Sequence, residues 1–154
     1  MKVRLLAIGR DRSGLFAPAV DEYLSRLART LKLELVELPE ARKHAGTPQA
    51  REEEGATLLA RLKPGERLVA LDERGEQPTS LELARRLARW QERGQDVALV
   101  IGGADGLAPA VLERADERLS LSRLTLPHRL ARLVLVEQLY RGVTILRGEP
   151  YHKE

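Results

Sequence analysis

The sequence predicts a single α/β domain with a mainly parallel sheet flanked by helices. Short apolar runs alternate with longer stretches in which apolar residues recur at helical spacing. The run Val-Ala-Leu-Val-Ile at 97–101 is apolar throughout, which is typical of a strand covered on both faces of a parallel sheet. The length of 154 residues suits one domain, and no linker is apparent, so we assign residues 1–154 to one domain.

The first half of the chain is expected to contain three strands and two helices. The first strand is a leucine-rich run that ends in Gly9. Ser13 is suited to cap the first helix, and Pro48 fits the first turn of the second, because a proline there gives up no helical hydrogen bond. The expected strands are 2–9, 33–38 and 67–72, and the expected helices are 13–31 and 48–62.

The second half is expected to contain two strands and three helices, after a turn at 72–79. Thr79 and Glu82 have the spacing of a capping box, and Gly94 ends the helix that this box begins. Pro109 begins a short helix. The expected strands are 96–101 and 117–121, and the expected helices are 79–93, 109–115 and 127–146.

The last predicted helix indicates a homodimer. Its apolar residues cover more than one stripe, so one sheet cannot bury them all, and some are expected to pack on a partner subunit. The alternative is a central helix buried within a monomer. The residues concerned are Leu130, Leu133, Val134, Leu135, Val136, Leu139, Tyr140, Val143, Ile145 and Leu146.

Composition excludes several classes of function. The absence of cysteine excludes disulfides and thiol catalysis, and three scattered histidines do not predict a metal site. The charged N-terminal run and the lack of about 18 consecutive apolar residues indicate a cytoplasmic protein without membrane contact. Residues 118–154 carry a net charge of +4 and the rest of the chain −1, which favours a polyanionic partner near the C-terminus.

Three predicted loops meet at the carboxyl ends of strands, where open α/β sheets bind ligands. They follow Asp72, the fourth strand (Gly-Gly-Ala-Asp-Gly at 102–106) and the fifth strand (residues 120–127). Backbone groups there suit an adenine and a ribose. Asp72 and Asp105 are suited either to contacts with hydroxyls or a positive charge, or to ordinary turns. The glycine spacing does not fit a dinucleotide fingerprint, and no phosphate loop is present.

Four polar side chains near or beyond the last helix are candidates for chemistry. His128 and His152 are suited to proton transfer, Tyr151 to stacking on a base, and Arg132 to a phosphate or base contact. Each has a structural alternative: a capping or buried role for His128, a solvated helix face for Arg132, and a disordered terminus for Tyr151 and His152.

Several blocks of sequence now stand out together. They are Gly-Gly-x-x-Gly-Leu at 102–107, Ser-Leu-Ser-x-Leu-Thr-Leu-Pro-His-x-Leu-x-Arg at 120–132, Glu-Gln-Leu-Tyr-Arg at 137–141 and Pro-Tyr-His-Lys-Glu at 150–154. With Leu-Asp-x-x-Gly at 71–75, they resemble the RlmH family of ribosomal RNA methyltransferases over the whole chain. This family belongs to the SPOUT class, so the resemblance implies a homodimer with a C-terminal trefoil knot, an exception to the rule that chains are unknotted.

The resemblance also implies a cofactor and a reaction. S-adenosylmethionine is expected in the knot, and the product is expected to be a pseudouridine methylated at N3 in helix 69 of 23S rRNA, on the assembled ribosome. His152 or His128 is then the candidate proton acceptor, with Tyr151 and Arg132 contacting substrate, and no metal is required. The alternative is a ribosome- or RNA-binding module without catalysis. By resemblance, the cofactor contacts are Leu71, Gly103, Ser122, Arg123, Leu124, Thr125, Leu126 and Pro127.

Overall fold

A computed structural model describes residues 1–153 as one five-stranded sheet with helices on both faces. All strand pairs are parallel, in the order β2-β1-β4-β3-β5, which confirms the predicted α/β class. Glu154, the end of the last sequence block, lies outside the described residues. The strands are β1 (Lys2–Ile8), β2 (Lys32–Leu38), β3 (Arg67–Glu76), β4 (Val97–Ile101) and β5 (Glu117–Leu119). The helices are α1 (Ala17–Leu27), α2 (Pro48–Ala60), α3 (Ser80–Glu92), α4 (Pro109–Arg114) and α5 (His128–Leu146).

The sheet separates two apolar cores because successive strand side chains point to opposite faces. Val3 and Leu5 of β1 face the core under α1, α3 and α5, where Trp90 is also buried. Leu6 and Ile8 face the second core, under α2 and α4. Since both faces are covered, all five residues of β4 are buried, which accounts for its continuous apolar sequence.

Several predicted boundaries were wrong, including the end of the first helix, which lies at Leu27 and not at residue 31. The first helix begins at Ala17 and not at Ser13, because the Asp11 carboxylate accepts the hydrogen bonds from Ser13 and from the backbone N–H of Phe16. The turn expected at 72–79 starts only after Glu76. Strand β3 continues to Glu76, which pairs with Leu119 of the edge strand β5 beyond an irregularity in the ladder.

Helix α5 lies between α1 and α3 on one face of the sheet and leaves part of its apolar surface uncovered. Leu135 and Leu139 are buried against the sheet side, whereas Leu130 and Val134 are only half-buried and Leu146 is 42 % exposed. The homodimer stays a prediction that this surface supports, and the trefoil knot likewise stays a prediction. Within residues 1–153, no helix combines the length and the apolar character needed to cross a membrane.

Candidate cofactor and RNA site

A cleft of about 590 Å³ opens at the carboxyl ends of β3, β4 and β5. Three segments line it: the residues after Ala70 in β3, the glycine turn at 102–106, and the stretch 119–128 that leads into α5. Its volume lies in the range of pockets that enclose a nucleoside-sized ligand. The cleft therefore stands where the sequence placed the three loops.

The glycine turn is built for close backbone approach. Gly103 and Gly106 form an isolated bridge, with the Gly106 N–H donating to the Gly103 carbonyl at 3.1 Å, and Gly106 has a positive φ of 77°. A Cβ on Gly102 would collide with the backbone carbonyl of Gly106. Only glycine fits at Gly102 without opening the turn, so the cleft wall consists of bare backbone here.

Two serines shape the loop between β5 and α5. The Ser120 hydroxyl donates to the Ser122 carbonyl at 3.0 Å, and the Leu124 N–H donates to the Ser122 hydroxyl at 2.9 Å. The Thr125 hydroxyl reaches Glu73 on the opposite wall at 3.4 Å. Leu124 is 76 % exposed at the rim, an unusual position for a leucine unless a ligand or partner covers it.

Seven of the eight residues expected to contact the cofactor line this cleft. Arg123 is the exception: it is exposed and does not belong to the lining. Asp72 and Asp105 also line the cleft, on the wall formed by β3 and β4. The lining residues from the predicted set are Leu71, Gly103, Ser122, Leu124, Thr125, Leu126 and Pro127.

His128 is the one predicted chemical group that lines the cleft. Its Nε2 is buried, and it has no hydrogen-bond partner among residues 1–153. Burial lowers the pKa of His128 below the usual 6.5, the positive charges of Arg129 and Arg132 lower it further, and Glu40 opposes them. The imidazole is therefore neutral near pH 7 and retains a lone pair for a proton.

Arg132 is buried instead of facing solvent, with 3 % of its surface exposed. Its guanidinium donates to Glu37 at 2.7 Å and to the Gly9 carbonyl at 2.9 Å. These bonds tie the start of α5 to the ends of β1 and β2 and engage both terminal nitrogens, whereas the buried Nε has no hydrogen-bond partner among residues 1–153. The arrangement favours a role in positioning His128 over a direct substrate contact.

The C-terminal tail is ordered against α5 and α1, and not in the cleft. The Tyr151 hydroxyl donates to Glu137 at 3.0 Å, and its ring packs edge-on against Tyr140 with the ring centroids 4.7 Å apart. His152 Nδ1 lies 3.2 Å from Nη1 of Arg141. Thirteen residues of α5 separate Arg141 from His128, about 20 Å along the helix axis. Within the chain, the tail therefore lies away from the cleft.

Glu137 holds this tail, a role that helical spacing alone did not reveal. Besides the hydrogen bond from Tyr151, Glu137 accepts hydrogen bonds from Arg141, four residues later on α5, and from Gln138. Tyr23 of α1 was also missed, and its hydroxyl lies 3.3 Å from that of Tyr151. The Glu-Gln-Leu-Tyr-Arg block was the available signal, since three of its five residues contact the tail.

A carboxylate behind the glycine turn also escaped the sequence reading. A Cβ on Gly103 would lie 3.3 Å from the Glu54 carboxylate, so this group closely backs the cleft wall. Burial raises the pKa of Glu54, and the charges of Glu40 and Asp105 add to the effect although the Ala41 N–H opposes it. No group of three or more potential metal ligands occurs among residues 1–153.

A parallel α/β fold with an open cleft walled by backbone at its strand ends is the arrangement in which such sheets bind ligands. Residues 1–152 match the family described as Predicted SPOUT methyltransferase. The chain is 72 % identical, over 99 % of its length and all of the relative, to Ribosomal RNA large subunit methyltransferase H of Anaeromyxobacter dehalogenans. A protein of the same name from Cereibacter sphaeroides is 50 % identical over 99 % of each chain. The chain therefore belongs to the SPOUT methyltransferase family.

Solved structures with low sequence identity show the same fold. A probable methyltransferase from Bordetella pertussis superposes with a TM-score of 0.59 at 19 % identity, covering 92 % of this chain and 96 % of that one. A probable methylase family protein from Haemophilus influenzae gives 0.58 at 15 % identity, covering 99 % of this chain and 70 % of that one. At these identities, the similarity concerns the fold alone.

Proposed function

We propose that this protein transfers a methyl group from S-adenosylmethionine to large-subunit ribosomal RNA, at N3 of a pseudouridine in helix 69 of the assembled ribosome. The observation that carries the proposal is the agreement between the expected cofactor contacts and the residues that line the cleft. Seven residues expected from the family resemblance to hold the cofactor line a single cleft, in a chain whose full length matches its curated relatives. The high identity of those relatives supports RNA as the substrate.

The cleft fits S-adenosylmethionine in size and chemistry. Its glycine turn and its serine-braced loop offer backbone groups to an adenine and a ribose, and Asp72 and Asp105 offer carboxylates to hydroxyls or to a positive charge. The Gly102 position, which has no room for a side chain, keeps that wall open to close approach. When bound, S-adenosylmethionine supplies an electrophilic methyl group.

The protein must accept the proton that N3 loses when it becomes methylated. His128 lies at the cleft, is neutral, and has an Nε2 that is buried without a hydrogen-bond partner in residues 1–153. In contrast, the Nδ1 of His152 faces Arg141, which can only donate, so that lone pair is occupied. His128 is therefore the better proton acceptor, and most of the remaining rate enhancement comes from alignment.

The tail suits a role in the cleft of a partner subunit. It lies about 20 Å from its own His128 along α5, yet it presents an aromatic ring, an imidazole and an arginine. The half-buried apolar surface of α5 next to it supports a symmetric dimer. In such a dimer, Tyr151 orients the RNA base that enters the neighbouring cleft.

The deciding test is mass spectrometry of large-subunit RNA after incubation of the protein with S-adenosylmethionine and ribosomes that lack the modification. The expected result is a gain of one methyl group at one pseudouridine of helix 69. Methylation elsewhere would contradict the proposed target. Binding of S-adenosylhomocysteine by calorimetry without any transfer would favour the non-catalytic RNA-binding module.

Mixed dimers test whether the tail acts across the interface. One variant, Gly102→Ala, disrupts the cleft, and the other, Tyr151→Ala with His152→Ala, disrupts the tail. If each is inactive alone and the tail acts in the partner's cleft, an equal mixture of refolded subunits recovers about a quarter of wild-type activity. No recovery, with mixing verified by mass, would place the tail and the cleft on the same subunit.

A further inference from the structure

The loops after β1 and β2 carry four exposed cations beside the cleft. Arg10 and Arg12 follow β1, and Arg42 and Lys43 follow β2. None of these four side chains forms an ion pair or a hydrogen bond with any of residues 1–153. We refer to Arg10, Arg12, Arg42 and Lys43 together as the basic rim. Four uncompensated cations on neighbouring loops are an electrostatic feature that packing does not explain.

The fold holds both loops of the basic rim against the cleft. Arg129, next to His128, donates to the Arg10 carbonyl at 3.1 Å and lies 3.6 Å from Glu40. Glu37 accepts both from Arg132 at 2.7 Å and from the Asp11 N–H at 3.1 Å. The nearby carboxylates of Glu37 and Glu40 thus pair with Arg132, Arg129 and a backbone N–H. They do not pair with the four cations of the basic rim.

The opposite wall of the cleft itself is acidic, although Arg74 and Arg123 are exposed outside its lining. Asp72 and Glu73 of β3 and Asp105 after β4 line its far wall, and Glu54 lies behind the glycine turn. A phosphate backbone that approached over these carboxylates would be repelled, whereas the side of β1 and β2 attracts it. The charge distribution therefore selects one direction of approach to the cleft.

We propose that the basic rim binds the phosphate backbone of the RNA that enters the cleft, and that the nucleic acid therefore approaches from the β1 and β2 side. This inference rests on the proposed function, because it assigns a contact surface for the same substrate. Arginine suits such a site because its planar guanidinium matches a phosphate through two parallel hydrogen bonds. Contacts of this kind fix the position of a strand and carry no sequence information.

The test compares two variants with the same change of charge. The rim variant is Arg10→Gln, Arg12→Gln, Arg42→Gln and Lys43→Gln. The control variant replaces four exposed arginines at the other edge of the sheet with glutamine. That edge is where α1, α2 and α3 end, just before the next strand begins. The control residues are Arg29, Arg61, Arg89 and Arg93.

Methyl transfer to ribosomes is measured against ribosome concentration at several salt concentrations. Without four phosphate contacts, the slope of log kcat/KM against log salt becomes shallower by about 3. When the salt concentration rises from about 50 to 200 mM, the loss of kcat/KM is therefore roughly a hundredfold smaller for the rim variant than for wild type. The KM for ribosomes rises, while kcat at saturation and affinity for S-adenosylhomocysteine stay unchanged. The control variant retains the wild-type slope to within about one contact.

Each other outcome has a distinct meaning. If the rim variant and the control have equal salt slopes and equal KM values, the basic rim does not bind RNA, and the proposed function is unaffected. Loss of S-adenosylhomocysteine affinity or of the oligomeric state in the rim variant would also contradict RNA binding by the basic rim. These residues would then support the cofactor cleft or a protein interface. Absence of transfer by wild type would refute the proposed function itself. The double variant Arg42→Gln with Lys43→Gln, confined to one exposed loop, gives about half the change in slope and guards against misfolding.

Discussion

A buried charged pair is hydrogen-bonded at the amino-terminal ends of the strands, whereas a buried imidazole nitrogen at the carboxyl-terminal ends has no partner among residues 1–153. We call these two ends the edges of the sheet. At the amino-terminal edge, Arg4 donates to both carboxylate oxygens of buried Glu66 at 2.7 and 2.6 Å, and its second nitrogen also reaches the Arg61 carbonyl. Glu66 further accepts from the Lys63 N–H at 2.9 Å. At the carboxyl-terminal edge, the Nε2 of His128 is buried without a partner among residues 1–153.

This difference separates stability from function within one fold. A buried ion pair whose hydrogen bonds are satisfied closes one edge, and losing either partner is costly. The other edge holds an open cleft, a neutral imidazole and unpaired cations, each of which costs folding free energy or contributes none. Substitutions at the two edges should therefore affect different measurements.

Replacement of His128 by Ala is expected to have the largest effect. If His128 accepts the proton from N3, kcat falls by roughly 10²–10⁴-fold, which is typical of the loss of a general base. Affinity for S-adenosylhomocysteine and the thermal midpoint should change little. The matched control is His44→Asn, in an exposed loop where asparagine tolerates the observed φ of 61°. Steady-state methyl transfer to saturating ribosomes supplies kcat, and an unchanged value would exclude His128 as the base.

Replacement of Glu66 by Ala tests the other edge. It leaves Arg4 charged and buried, so the free energy of unfolding should fall by about 3–5 kcal/mol. Chemical denaturation measures this, while kcat of the remaining folded protein at 25 °C should match wild type. The double variant Arg4→Met with Glu66→Leu should recover most of the lost stability. Loss of kcat in the folded fraction would show that the two edges are coupled.

The same pair gives the stability a defined dependence on pH. Burial would raise the pKa of Glu66, but hydrogen bonds from Arg4 and the Lys63 N–H outweigh it and hold the pKa below the usual 4.5. The stabilisation is therefore present above pH 4.5 and is lost as the pH falls through the lowered value. In Glu66→Ala, denaturation midpoints should vary less with pH in this range than in wild type.

The sequence predicted what depends on periodicity and on backbone chemistry. The alternation of strands and helices predicted the parallel sheet, and glycine spacing marked the turn where a Cβ at Gly102 would strike Gly106. The cleft was predictable because strand ends converge in any parallel sheet. Family resemblance was needed to say which ligand fits it.

Contacts between distant residues could not be predicted from spacing. Arg132 looked like a surface cation, yet the fold places it against Glu37, 95 residues earlier, and buries it. The tail residues looked unpartnered until α5 brought Glu137 under Tyr151. Ser13 does not cap α1, because the chain bends before the helix and Asp11 accepts hydrogen bonds from Ser13 and from the Phe16 N–H, which a local motif does not reveal.

Tyr151→Phe tests the tail with a smaller expected effect. It removes the hydroxyl that bonds Glu137 and approaches Tyr23 but retains the ring against Tyr140 and Arg141. One hydrogen bond is worth about 1 kcal/mol, so kcat/KM should fall by roughly fivefold if the docked tail matters for the reaction. Tyr151→Ala, which also removes the ring, should cost more. Equal activity of the two variants would show that the ring has no role.

The smallest expected effect is the pH dependence of kcat around neutrality. Only neutral His128 can accept a proton, and burial, followed by the charges of Arg129 and Arg132, lowers its pKa below 6.5. From pH 7 to 8 the imidazole is already neutral, so kcat should change by less than about twofold. As the pH falls through this lowered pKa, kcat should decline with unit slope because His128 gains a proton. The stability that the neutral imidazole contributes is present above pH 6.5 and is lost as the pH falls from 6.5 through the lowered pKa. A rate that instead rises as pH falls would require a protonated group and would assign the acid–base role to another residue.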